Sequence, residues 1–357
     1  MPDNALVDEE QRFSLDGFGE EILKLVSLEN GLTAKVWGEW LRVPFERAAA
    51  YGELEMAIQL YEAGAKGNGL IPAIRNGHRR VVSELLQHGA SANARNENGF
   101  AAIHVAAHLG HGLIVRTLLI EGAEKDDVSE DGSTPLHLAS MGGHSGAVSA
   151  LLAAGADASI RMTDKFGYNA LDLAAEGGHV HVMKLLVENR PSTTAAAAAE
   201  AAAADGHTPL HVAALGDQAP AIRYLLGEAS ADIDAKDNDG NTALLLAAKK
   251  CHAAAVDALC AAGANLTHAV KTYLCFDCDK FDALGFASFH GDLPIMKTLL
   301  HSGADPNARG WRNRTAPKAI RKRPSTCWSR PVLPSLRDRT ASRALSMPLW
   351  KGSLRKL

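Results

Sequence analysis

Thr134-Pro135-Leu136-His137-Leu138-Ala139 returns as Thr208-Pro209-Leu210-His211-Val212-Ala213. Weaker copies start at Ala101, Asn169 and Thr242, and fainter ones at Val43 and Asp282. Nine residues after each start stands a position that is usually glycine: Gly52, Gly110, Gly143, Gly178, Asp217, Cys251 and Gly291, with Gly77 as a further copy lacking a good start. Eight and nine residues later an apolar pair recurs, as in Leu85-Leu86, Leu118-Leu119 and Leu151-Leu152. A Gly-Ala pair usually closes the unit, as in Gly122-Ala123 and Gly155-Ala156.

Each part of this unit has a physical reading. Thr134 before Pro135 is a helix N-cap followed by proline at the first helical position, where its missing N–H leaves no hydrogen bond unmade. Leu136 and Ala139 lie on one apolar face of a short first helix. Gly143 stops that helix, because glycine takes up a positive φ without steric penalty. Val148, Leu151 and Leu152 give the i, i+3, i+4 spacing of a second helix. Asp131-Gly132 and Asp239-Gly240 mark tight turns before the next unit. A helix pair this small cannot bury its own apolar face, so the units must stack.

The pattern resembles the ankyrin repeat, with its period of ~33 residues and its T-P-L-H-x-A signature. Steps between successive glycine positions here are 25, 33, 33, 35, 39, 34 and 40 residues. The resemblance implies an all-α solenoid of stacked helix-turn-helix units with hairpin-like fingers, about eight of them over residues 43–310. It makes Thr134, Pro135, Leu136 and His137, like Thr208, Pro209, Leu210 and His211, structural signature residues. The signature histidines, His104 among them, then bond to the helix start and the neighbouring turn, and His78, His111, His144 and His179 occupy a second scaffold position. It also implies a non-catalytic scaffold or adaptor that binds a partner protein on its concave side. The positions facing that side are Arg95, Glu97, Asn98, Phe100, His108 and Leu109, then Val128, Glu130, Asp131, Ser133 and Met141, then Lys165, Phe166, Tyr168 and Glu176. Phe100, Met141, Phe166 and Tyr168 are expected to be exposed apolar anchors for a partner, the alternative being that they pack between neighbouring fingers.

The array has irregularities. The short step to Gly77 removes a finger, and Pro72 shortens the first helix there. Insertions fall near 190–206, which contains the alanine run Ala195–Ala204 interrupted by Glu200, and near 268–281. Residues 1–42 read as an N-terminal capping segment that covers the first unit. Docking of residues 16–42 to a ubiquitin-ligase adaptor is the alternative. The pattern stops just after Ala308, and residues 311–357 form a basic, Pro/Arg/Ser-rich tail whose composition is that of a disordered segment.

Composition narrows the function. The chain has 357 residues, 46% of them hydrophobic and only 5% aromatic, so the core is built from Leu, Ala, Val and Ile. Its net charge of −4 conceals an uneven division. Residues 306–357 hold 14 Lys/Arg against one acid, Asp338, and the rest of the chain has a surplus of acids. The acidic finger turns therefore favour a basic partner, or the tail itself, through screened long-range attraction. Nucleic-acid binding through Arg321-Lys322-Arg323 and nearby tryptophans is a lesser alternative. Five cysteines argue against a disulfide scaffold and for a reducing compartment, with the cytoplasm expected and the nucleus as the second choice. No apolar run is long enough for a membrane span. No phosphate loop, nucleophile elbow or metalloprotease helix is present, and too little chain lies outside the array for a catalytic domain. Cys275 and Cys278 form a lone C-x-x-C, two ligands short of a zinc site. The turns at Ser129–Gly132 and Asp237–Gly240 lack the acid that a calcium loop needs after its glycine. The expectation is a monomer with no cofactor and no metal.

Overall fold

A computed structural model describes residues 41–65, 67–157, 164, 167–189, 203, 205–270 and 280–306. The expectations for residues 16–42 fall almost wholly outside that range. So do those for the tail, for Cys275 and Cys278, and for Lys165 and Phe166.

The described residues form sixteen helices in eight antiparallel pairs. The first helices are α1 (Arg42–Tyr51), α3 (Leu70–Arg75), α5 (Ala102–His108), α7 (Pro135–Met141), α9 (Ala170–Glu176), α11 (Pro209–Leu215), α13 (Ala243–Lys250) and α15 (Ala283–His290). The second helices are α2 (Leu54–Glu62), α4 (Arg79–Gln87), α6 (Gly112–Ile120), α8 (Ser145–Ala153), α10 (Val180–Glu188), α12 (Ala219–Gly227), α14 (Ala253–Ala261) and α16 (Leu293–His301). Every first helix packs on the first helices before and after it, and every second helix does the same in a parallel row. The fold is an all-α solenoid. Among the described residues there is no β-strand, only two isolated bridges, Arg95 with Ala101 and Val270 with Phe281.

One apolar cluster runs the whole length, from Leu41 to Ala304. Most of its members are Leu, Ala, Val and Ile, as an aromatic-poor composition requires. The first helices are seven or so residues long and too short to be stable alone, so packing rather than propensity holds them. α3 is the shortest at 6 residues and contains Pro72. Residues 63–69 link it to α2, and among the described ones there is no finger turn of the kind seen between later units.

The N-caps work as the repeat signature implies. Thr134 begins α7 in extended conformation with Pro135 at the first helical position. Its hydroxyl accepts the His137 amide, and its own amide donates to His137 Nδ1 at 3.0 Å. Thr208 and His211 repeat this at 3.1 Å. At α9 the same box is built from Asn169 and Asp172. With Nδ1 acting as acceptor, the proton of these rings sits on Nε2, and His211 Nε2 donates to the Asn241 carbonyl of the next finger at 3.1 Å. The signature histidine thus fixes its own helix start and the following turn together.

A second histidine series ties units at the opposite end of the first helices. His78 Nε2 donates to Ala50 O (2.8 Å), His144 to His108 O (2.9 Å) and His179 to Met141 O (3.1 Å). Each reaches the last turn of the preceding first helix, where carbonyls lack an intrahelical partner. The stop glycines leave room for these rings. Gly143 has φ 72°, and a Cβ there would lie 2.4 Å from His179 Nδ1. Where the position is not glycine the backbone still turns left-handed, at Asp217 (φ 55°) and Cys251 (φ 61°).

Candidate functional site

The fingers are five equivalent turns. Asn96, Ser129, Asp164, Ala203 and Asp237 each donate a backbone N–H to the carbonyl four residues on, at 2.8–3.0 Å. A glycine at the fourth position, such as Gly99 (φ 77°) or Gly132 (φ 79°), closes each turn. Polar side chains lock it from inside. Asn96 Oδ1 accepts the Asn98 and Phe100 amides, Asp164 Oδ1 the Tyr168 amide, and Asp237 Oδ1 the Asp239 and Asn241 amides. These carboxylates are spent on turn geometry. The turn at Ala203–His207 has the same bonds although it lies in the stretch assigned to the insertion. At the two ends of the later insertion, Val270 and Phe281 pair as an isolated antiparallel bridge.

The face made by the fingers and first helices carries a second apolar cluster, separate from the main core. Leu138 and Met141 of α7 and Leu173 of α9 are buried there, with Phe100 and Tyr168 packed against them from two fingers. Met141 is only 6% exposed, so the expectation that it is an exposed anchor is corrected. The reason is local: Leu138, Met141 and Leu173 fill positions that two neighbouring rings then cover. Ser133 is also buried, its amide held by the Ser129 hydroxyl at 3.1 Å, so it cannot serve as a free contact. Phe100 and Tyr168 are half-buried rather than exposed.

Other predicted contact residues divide by how they are held. Arg95 donates to Asp127 Oδ1 at 2.7 Å and to Gly99 O at 2.7 Å, so its charge is used within the fingers. Asp131 bonds to the Ser129 hydroxyl. Asn98 and Glu176 are half-buried. His108 is half-buried too, and burial, then the nearby His144 ring, lowers its pKa. Glu97 and Glu130 are exposed at the finger tips. Val128 is 51% exposed and Leu109 38% exposed, both large apolar side chains open to solvent. Among the described residues no cationic side chain lies within salt-bridge distance of Glu97, Glu130 or Asp239.

One polar group was not foreseen from the sequence. The Tyr168 hydroxyl donates to Asp205 Oδ2 at 3.0 Å, across the 190–202 insertion. His207 lies beside both, 2.8 Å from Asp205 Oδ2 and 3.4 Å from Asp237 Oδ2, and stacks on His211. Burial, then the Asp205 carboxylate, raises the Tyr168 pKa, so the phenol keeps its proton and remains a donor. Asp205-Gly206 is the same acid–glycine turn seen elsewhere, which is the signal that could have found it behind the alanine run.

The buried signature rings are neutral scaffold groups. Burial lowers the pKa of His104 and of His211, against weaker opposing effects from carbonyls and carboxylates. His104 also lacks the usual threonine: Ala101 stands there, and His104 Nδ1 has no hydrogen-bond partner. Among the described residues no group of three or more His, Cys, Asp or Glu is arranged to hold a metal. Nor is any helix there long and apolar enough to cross a membrane.

A family model for ankyrin repeats (3 copies) matches residues 45–128, 113–197, 195–270 and 231–310. The chain belongs to the ankyrin-repeat family. It is 32% identical over 190 residues to the mouse B-cell lymphoma 3 protein homolog, covering 53% of this chain and 38% of that one. It is 31% identical over 109 residues to the Arabidopsis thaliana E3 ubiquitin-protein ligase KEG, covering 30% of this chain and 6% of that one. The chain therefore spans well under half the length of either relative. The human ASB11 ankyrin repeat domain superposes with a TM-score of 0.53 at 24% identity, covering 74% of this chain and 99% of that domain. That likeness concerns the fold alone. Ankyrin repeats are in general non-catalytic protein-interaction modules, and no catalytic family is indicated for this chain.

Proposed function

We propose that this ankyrin array is a scaffold or adaptor that binds a basic partner protein on the face built by its fingers and first helices. The observation that carries this reading is the composition of that face over α5, α7 and α9. Val128 and Leu109 are open to solvent, the rings of Phe100 and Tyr168 are half-covered, and acidic tips rim them. An apolar centre inside a charged rim is the anatomy of a protein contact, and carboxylates without a cation favour a partner of opposite charge.

The test is Val128→Asp combined with Leu109→Asp. Both side chains are solvent-exposed, so helicity by circular dichroism should be unchanged. Partner capture by pull-down should fall by about tenfold or more, the scale of losing an interface anchor. Undiminished capture of the same partners would remove this face from the mechanism.

A further inference from the structure

We infer that the outer flank of α16, the open end of the array, is covered in cis by residues 326–334 of the same chain. This surface is separate from the binding face proposed above. Equivalent positions in the second helices reveal it. Five residues after the glycine position stand Val82, Val115, Val148, Met183, Ile222 and Val256, each fully buried in a row where every second helix packs on the next. In α16 the same position is Met296, and it is only half-buried. Ile295 and Leu299 of α16, which face the array, stay fully covered. Nine residues after the glycine position, Leu86, Leu119, Leu152, Val187, Leu226 and Cys260 are buried or half-buried, whereas Leu300 is 42% exposed. Leu293, on the same side as Met296, is 63% exposed. Leu293, Met296 and Leu300 thus form one apolar stripe at i, i+3, i+7. Among the described residues no helix follows α16 to cover it. A terminal unit needs a polar outer face, and this one has the flank of an internal unit.

The length of chain that follows names the occupant. The described residues end at Pro306, directly after the closing Gly303-Ala304, and residues 307–357 continue from there. In two units of regular length, 24 and 28 residues separate the closing alanine from buried residues of the next second helix: Ala90 to Ile114 and Leu118, and Ala123 to Ala147 and Leu151. From Ala304 the same counts reach Trp328 and Val332. The charge pattern agrees independently. Pro324–Leu336 carries one charged residue, Arg330, between Arg321-Lys322-Arg323 and Arg337-Asp338-Arg339. An apolar flank accepts such an uncharged stretch and rejects the basic runs beside it, which would lose hydration there. Lys297, exposed on α16, repels those runs as well. The contact asks only for side-chain burial, so Pro331 and Pro334 do not oppose it. A chain cut before Pro324 is left with an uncovered apolar end that attracts a second copy.

Photo-cross-linking of the full-length chain, with Trp328 replaced by p-benzoylphenylalanine, tests the inference. Peptide mapping of the monomer fraction should show links to residues 293–300, and the same probe in place of Trp350 should give none there. Leu293→Ser with Leu300→Ser should abolish the links with helicity retained, since both side chains are exposed. Methionine oxidation gives a readout free of the probe. Trp328→Ser with Val332→Ser should raise the rate at which peroxide oxidises Met296 by about threefold or more, while the buried Met183 stays unchanged as a control for the fold. Links that are absent, that fall only elsewhere, or that join copies in a mixture of isotope-labelled and unlabelled protein would overturn the inference. So would a Met296 oxidation rate unaltered by the two tail substitutions. Partner capture through Val128 and Leu109 is measured on a different surface, so either reading can fail without the other.

Discussion

At the level of single residues, the histidines show how one side chain can serve a repeat without serving chemistry. His211 spends both ring nitrogens on the scaffold in a threonine-capped start, His137 holds its own capping threonine through Nδ1, and His104 has only half of the His211 arrangement because Ala101 offers no hydroxyl. Ala101 already has the extended conformation of an N-cap, with φ −68° and ψ 160°. Ala101→Thr should therefore raise stability by about 0.5–1 kcal/mol, the usual worth of a cap, measurable as a shift in the urea midpoint. The same rings set a pH dependence. Burial places the folded pKa of His104 and His211 below the unfolded value of 6.5. The unfolded chain thus binds more protons on acidification. The contribution is present above about pH 6.5 and is lost as pH falls through that value toward the folded pKa. Denaturation at pH 7.5 and pH 5.5 should show the loss, and His211→Asn should make the slope shallower.

At the level of elements, the pairs α1–α2 to α15–α16 follow directly from what can be read in the chain. A threonine or its substitute, a stop at the ninth position and an apolar pair after it define each helix by local chemistry. That is why even Asp217 and Cys251, which break the glycine rule, still mark a left-handed stop. The binding face was less legible. Phe100 and Tyr168 stand at surface positions of the repeat, but a single unit does not reveal that α7 and α9 both carry apolar residues beneath them. The Asp205–His207 turn was hidden because alanine fills the run before it, and periodicity alone cannot place a turn behind an insertion of unknown course. Tyr168→Phe tests this join. It removes one half-buried donor to Asp205 and should cost about 0.5–1 kcal/mol, with the ring packing on Leu173 retained. Thermal melts of the two proteins, compared at one pH, measure it.

At the level of the whole molecule, stability accrues from each unit and from its interfaces with two neighbours. The main cluster is continuous from α1 to α16, but the second-helix row is at its thinnest where α10 meets α12, beside the insertion. Solenoids open at such seams before they unfold completely. Amide hydrogen exchange should therefore be faster in α10 and α12 than in α6 and α8. Uniform protection along the row would contradict the seam.

The Tyr168–Asp205 bond has a consequence for how the polypeptide can be divided. The contact of α9 with α11, reinforced by that bond, does not depend on the peptide linkage between residues 189 and 203. Two separately expressed fragments meeting there would each expose one greasy flank that only the other matches. They should find each other and rebuild the superhelix without a covalent join, which makes this site a natural point for a split reporter.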